Sequence, residues 1–137
     1  MEELMKQMFR LIAVAFILFM LGGCSKKENI IIYTGYGESW MATYTSSLIR
    51  DTIYDSLMIQ YLYGHESLEE FPTLEYYLEG QSFTTSSSFP QDLQANGSFL
   101  VTSRSNSEFF ELINDEELSL SIYWNEETEE IKLKRMN

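Results

Sequence analysis

Hydrophobic patterning predicts an antiparallel β-sandwich of about seven strands, preceded by an N-terminal signal-peptide helix. Three observations carry that prediction. Apolar residues recur at every second position through most of the chain after residue 30. Turn-forming residues interrupt this pattern at short intervals. A single greasy run, ending in the only cysteine, opens the chain.

The opening run spans Leu11 to Leu21, follows Lys6 and Arg10, and closes on Leu21-Gly22-Gly23-Cys24. A bilayer-spanning helix needs about 20 apolar residues. This run is shorter and has the length of a signal-peptide apolar region. Gly22 and Gly23 carry no side chain, so the segment can enter a protease groove extended. Residues 1–23 are therefore expected to be a lipoprotein signal peptide, with Cys24 lipidated and retained as the first mature residue. Glu2 and Glu3 are unusual in a leader that is normally basic. A start at Met5 would open on Met-Lys-Gln-Met-Phe-Arg, a more ordinary beginning. A lipidated Cys24 leaves no thiol for a disulfide, a metal or a nucleophile. Burial and hydrogen bonding must then hold the domain together.

Residues 24–29 read as a lipidated polar tether, and residues 30–137 as one domain. Basic and acidic groups balance within residues 1–23, so the mature part keeps the net charge of −12. Nucleic-acid binding needs a basic face, which this composition excludes. Lying flat on anionic lipid is opposed by like-charge repulsion.

Element by element, Trp40, Ala42 and Tyr44 alternate with Met41, Thr43 and Thr45. Ile53, Leu57, Ile59 and Tyr61 share one face, which Asp55 interrupts. Leu74, Tyr76 and Leu78 share another, and Phe99 and Val101 mark a short strand. Leu118, Leu120, Ile122 and Trp124 alternate with Ser119, Ser121 and Tyr123, and Ile131 and Leu133 with Lys132 and Lys134. Thr84 to Ser88 suits a polar strand or a loop. Turns are predicted at Gly64-His65, Gly80-Gln81, Asn96-Gly97, Asn114-Asp115 and Asn125. Helical turns are confined to Glu66–Glu70 and Ser107–Leu112. Trp124 ends the cleanest alternating strand and is expected to be the most damaging aromatic to truncate.

Gly37-Glu38-Ser39-Trp40, Leu57-Met58-Ile59-Gln60-Tyr61, Ile122-Tyr123-Trp124-Asn125 and Glu129-Glu130-Ile131-Lys132-Leu133-Lys134 together resemble small lipoproteins of Bacillus and related Gram-positive bacteria. The resemblance implies an immunoglobulin-like sandwich and no established activity. The group's Asn-Gly turn is Asn125-Glu126 here. A tight turn with φ > 0 at both centres is therefore not expected, and a longer loop through Glu126–Thr128 is.

No catalytic constellation stands out. His65 is the only histidine and sits in a predicted turn, so it reads as solvated. Gly35-Tyr36-Gly37 is too short for a phosphate loop and no lysine follows it. Carboxylates at Glu66/Glu69/Glu70, Asp115/Glu116/Glu117 and Glu126/Glu127/Glu129/Glu130 lack the Asp/Asn ladder that wraps calcium, and read as solvated loop charge. No cofactor and no metal are expected. The remaining signal is aromatic. Tyr54, Met58, Tyr77 and Tyr123 lie opposite the apolar faces of their strands and are candidates for a partner-binding surface. The expected function is a membrane-anchored, non-enzymatic binding or envelope-associated structural module on the extracytoplasmic side. Its expected partners are the membrane, through Cys24, and an envelope protein or cell-wall component. The alternatives are a carboxylate-based cell-wall glycan enzyme and a solute-capturing lipoprotein. A cleft with two converging carboxylates would favour the first and a deep apolar pocket the second.

Overall fold

The computed structural model describes residues 1, 3–8, 29–63, 73–108 and 110–136. The apolar leader run, Cys24, His65 and the turn at 66–70 lie outside these residues. Residues 3–8 are helical.

The rest is antiparallel β-structure. The strands are β1 (Ile30–Tyr36), β2 (Trp40–Ile49), β3 (Thr52–Tyr61), β4 (Thr73–Glu79), β5 (Thr84–Ser86), β6 (Gln91–Asp92), β7 (Ser98–Asn106), β8 (Glu117–Trp124) and β9 (Glu127–Arg135). They form one sheet in the order β5-β4-β8-β9-β1-β2-β3-β7, with β6 on β4. Nine strands thus replace the predicted count of about seven. The additions are the short β6 and the N-terminal β1, whose Ile30-Ile31-Ile32 start hides its alternation, while β5 makes a strand of Thr84–Ser86. The turn expected at 107–112 reduces to Ser107 and Glu108, with Phe110 N–H donating to Asn106 O at 3.1 Å.

The sheet curls on itself. Among the described residues, the strand ladders of its halves, β1-β2-β3-β7 and β9-β8-β4-β5, join where β1 meets β9, and there the register covers Tyr33↔Arg135 and Thr34↔Lys134. Gly35 sits at this crossing. A Cβ on it would strike the Lys132 carbonyl and the Leu133 side chain of β9. Glycine therefore lets β9 pass close over β1 and the halves face each other.

Between the halves lies one core. Alternate residues point inward, as the period-two pattern requires, including Tyr33, Trp40, Ile59, Leu78, Leu120 and Leu133, all with no exposed surface. Aromatic rings bridge the halves: Trp40 meets Trp124 edge-on at 5.4 Å, and Tyr76 lies 5.6 Å from Phe99. Trp40 also contacts Tyr61 at 4.9 Å and is fully buried, whereas Trp124 is 7% exposed. Trp40, rather than Trp124, is the central aromatic.

The β8–β9 hairpin corrects a further expectation. Trp124 pairs with Glu127, so Asn125-Glu126 is a two-residue loop, with φ of 42° and 64°. The tight turn forms without glycine. Asn tolerates the left-handed region, and Glu126 accepts a strain of about 1–2 kcal/mol because strand pairing on both sides dictates the turn.

Candidate functional site

Two carboxylates read as loop charge are structural instead. Glu129 lies against the β1–β2 hairpin. Its carboxylate accepts the Ser39 N–H at 3.1 and 3.2 Å and the Trp40 N–H at 3.3 Å. Glycine at position 37 leaves room for this, since a Cβ there would displace the Glu129 carboxylate from its present position. The Gly-Glu-Ser-Trp piece and the Glu-rich C-terminal piece therefore meet in space. Asp115 is buried rather than solvated. Its backbone carbonyl accepts the Tyr33 hydroxyl at 2.6 Å, and its Oδ2 has no hydrogen-bond partner among the described residues. Burial raises the Tyr33 pKa, and the nearby Asp115 charge adds to that rise while Arg135 opposes it.

The four aromatic and methionine candidates all lie outward. Tyr54 is 43% exposed, Met58 37%, Tyr77 38% and Tyr123 44%. They do not form one surface. Tyr54 and Met58 stand on β3, whereas Tyr77 and Tyr123 stand on β4 and β8 in the other half.

The two outer faces differ sharply in charge. Across β9-β8-β4, the register aligns Lys132, Ser119 and Glu79, then Glu130, Ser121 and Tyr77, then Thr128, Tyr123 and Glu75. Lys132 pairs with Glu130 at 3.1 Å and Ser119 bridges them, donating to Glu130 at 2.9 Å. The hydrogen bonds from Lys132 and then Ser119 lower the Glu130 pKa. Across β1-β2-β3-β7 the rows read Thr34, Thr43, Met58, Leu100; then Ile32, Thr45, Ser56, Thr102; then Ile30, Ser47, Tyr54, Arg104. Arg104 is the sole charge in those rows. In a chain of net charge −12, no carboxylate among the described residues stands in these outward rows. The shallow groove there, about 550 Å³, runs over Thr45, Ser47, Tyr54, Ser56, Thr102 and Arg104, and Asp55 and Ser103 of the neighbouring inward row also line it.

The interior holds a second polar feature, unrecognised as a site in the sequence. Register places Ser46, Asp55 and Ser103 in one inward row, next to the row of Tyr44, Leu57 and Val101. A cavity of about 130 Å³ opens here between β3 and β7 on one side and Tyr76, Phe83 and Thr85 on the other. Asp55 Oδ1 and Ser46 Oγ are buried without a hydrogen-bond partner among the described residues. Tyr44 points at the same place. Burial, then the Asp55 charge and hydrogen bond, push its hydroxyl far above the usual tyrosine range. Tyr44 therefore stays protonated across the ordinary pH range. The one signal for this site was Asp55 itself, a carboxylate on an otherwise apolar face.

Among the described residues, no three His, Cys, Asp or Glu side chains converge as a metal cage, and no helix is long and apolar enough to cross a membrane. Comparison of the chain with protein-family models, curated proteins and solved structures gives no match.

Proposed function

We propose that the protein is an extracytoplasmic lipoprotein, held to the cell membrane through a lipid on Cys24, whose domain is a non-enzymatic binding or envelope-associated structural module. The observation that carries the binding reading is the neutral outer face of β1-β2-β3-β7. Hydroxyls, Tyr54, Met58 and Leu100 occupy it, and among the described residues no carboxylate stands in its outward rows. Depletion of charge with retained tyrosine and methionine is the composition of an interface centre. This reading narrows the predicted surface to Tyr54 and Met58, since Tyr77 and Tyr123 stand among glutamates. The immunoglobulin-like sandwich belongs to the same proposal. Packing of the two halves across one core supports it, while the β1–β9 hydrogen bonds make the sheet continuous.

The anchor is tested by Cys24→Ser. The variant is expected to leave the membrane fraction, because a lipid contributes about 0.8 kcal/mol per buried methylene and the reading offers no other hold on the bilayer. Full membrane retention of a correctly cleaved variant would sink it. For the face, a photo-crosslinking residue at Met58 in intact cells is expected to yield a discrete adduct, and one at Tyr123 is not. Equal labelling from both positions would remove the neutral face as the binding surface.

A further inference from the structure

The ends of the sheet are unequal. β5 is three residues long, whereas β7 runs for nine and pairs with β3 without interruption from Ser98 to Asn106. Antiparallel pairing sends alternate backbone groups to opposite sides of a strand. The phase is fixed at both ends of β7: Tyr61 N–H donates to Gly97 O at 3.0 Å, and Ser107 N–H donates to Asp51 O at 2.9 Å. Odd-numbered residues of β7 therefore face β3, and even-numbered residues face outward along the edge.

Of those, the outer two are already engaged by the chain itself. Ser98 O accepts the Gln94 N–H at 2.8 Å, and Asn106 O accepts the Phe110 N–H at 3.1 Å. Leu100, Thr102 and Arg104 remain. All three are exposed, and among the described residues nothing pairs with their backbone on this side. The open stretch is symmetric about Thr102, with closed positions equally far on either side. No proline, lysine or bulge protects it, although natural sheets use such devices to blunt an open edge.

We propose that this edge pairs with a second copy of the chain, antiparallel, about a two-fold axis through Thr102. Thr102 then faces Thr102 of the second copy, and Leu100 faces Arg104 in both directions. Each of these pairs exchanges its N–H and C=O bonds. A second copy fits because it brings a strand of the same free length: the two-fold uses the free positions of both chains and stops where each has closed its own edge. Charge agrees. The strand carries no carboxylate, and the axis sets Arg104 over Leu100 instead of over its own copy. The pairing makes one neutral face continuous across two molecules, yet it rests on the backbone edge and not on what that face binds.

The test uses the full chain in detergent, in a Cys24→Ser background so that an introduced cysteine is the sole thiol. Facing residues of this kind have Cα atoms about 5.5 Å apart, within the roughly 4.4–6.8 Å a disulfide spans. Oxidation of Thr102→Cys is expected to give a covalent dimer. Leu100→Cys alone and Arg104→Cys alone are expected to give no covalent dimer, since each lies about 13 Å along the strand from its own copy. Mixed together, those two are expected to cross-link. Thr102→Pro removes an N–H that points away from β3, so it should weaken the dimer by more than about tenfold while the variant still folds. A monomer for the unsubstituted chain, or cross-linking of Leu100→Cys alone as readily as Thr102→Cys, would overturn the proposal. Should Thr102→Pro fail to fold, the cysteine pattern still decides.

Discussion

The two ends of the interior are built by the same strands and behave differently. At one end Trp40, Tyr61 and Trp124 pack ring against ring, and the β1–β2 hairpin is closed by Glu129. Six residues along β2, about 20 Å away, the inward position is Ser46, facing Asp55 beside a cavity. Each end leaves polar atoms unpaired, but not of equal weight. Among the described residues, the aromatic end leaves the Trp40 indole N–H, whereas the polar end leaves a carboxylate oxygen and a hydroxyl. Burying a carboxylate costs far more than burying a weak donor. The contrast assigns stability to the aromatic end and sensitivity to conditions to the polar end.

The largest expected effect tests the first half of that assignment. Trp40→Ala should cost about 3–5 kcal/mol, a large part of a typical domain stability of about 5–15 kcal/mol. Trp124→Ala should cost less, because Trp124 sits at the rim. Denaturant melts in which Trp124→Ala is the worse of the two would reverse the ranking of the rings.

Glu129→Ala should come next, at about 1–3 kcal/mol. It leaves the Ser39 and Trp40 N–H groups without their acceptor. Chemical denaturation of the variant checks this, and a loss close to zero would mean that water replaces the carboxylate and the closure of this end is not structural.

The smallest effect at neutral pH, and the most selective, concerns Tyr44. Its pKa is raised in the folded state above the usual value of about 10, so folding favours the protonated phenol. That contribution is complete below pH of about 10 and is lost as pH rises further. Melting temperature should therefore fall with alkali above that point, and Tyr44→Phe should make the fall shallower. Tyr33 and Tyr76, also raised by burial, keep some slope in the variant. An unchanged slope in Tyr44→Phe would show that the polar end does not govern the alkaline response.

Much of the fold was legible in local pattern. The inward set of β2, β4 and β8 follows directly from strict alternation at Trp40–Tyr44, Leu74–Leu78 and Leu118–Trp124. Asn96-Gly97 turns as its residue types demand, with Gly97 at φ 77°. β1 was harder to read, because Ile31 faces inward while Ile30 and Ile32 on either side of it face outward, and the three look the same in sequence. The Asn125-Glu126 turn was misjudged for a related reason. Intrinsic preference argues against φ > 0 at glutamate, but the pairing of β8 with β9 along its whole length outweighs a penalty of about 1–2 kcal/mol.

The sequence by itself determined an all-β domain, which side chains enter its core, and where most of its turns fall. These depend on neighbours within a few positions, and side-chain alternation is a local property of an extended chain. Tertiary structure decided what those elements enclose and expose. Ser39 and Glu129 are 90 positions apart, yet they share hydrogen bonds because β9 crosses β1 at Gly35. The same curl separates Tyr54 from Tyr123, places Asp55 beside Tyr44 in a cavity, and leaves β7 as the long open edge. Such outcomes follow from the order of strands in the sheet. That order is set by which distant segments bury the most surface together, a quantity that no local pattern contains.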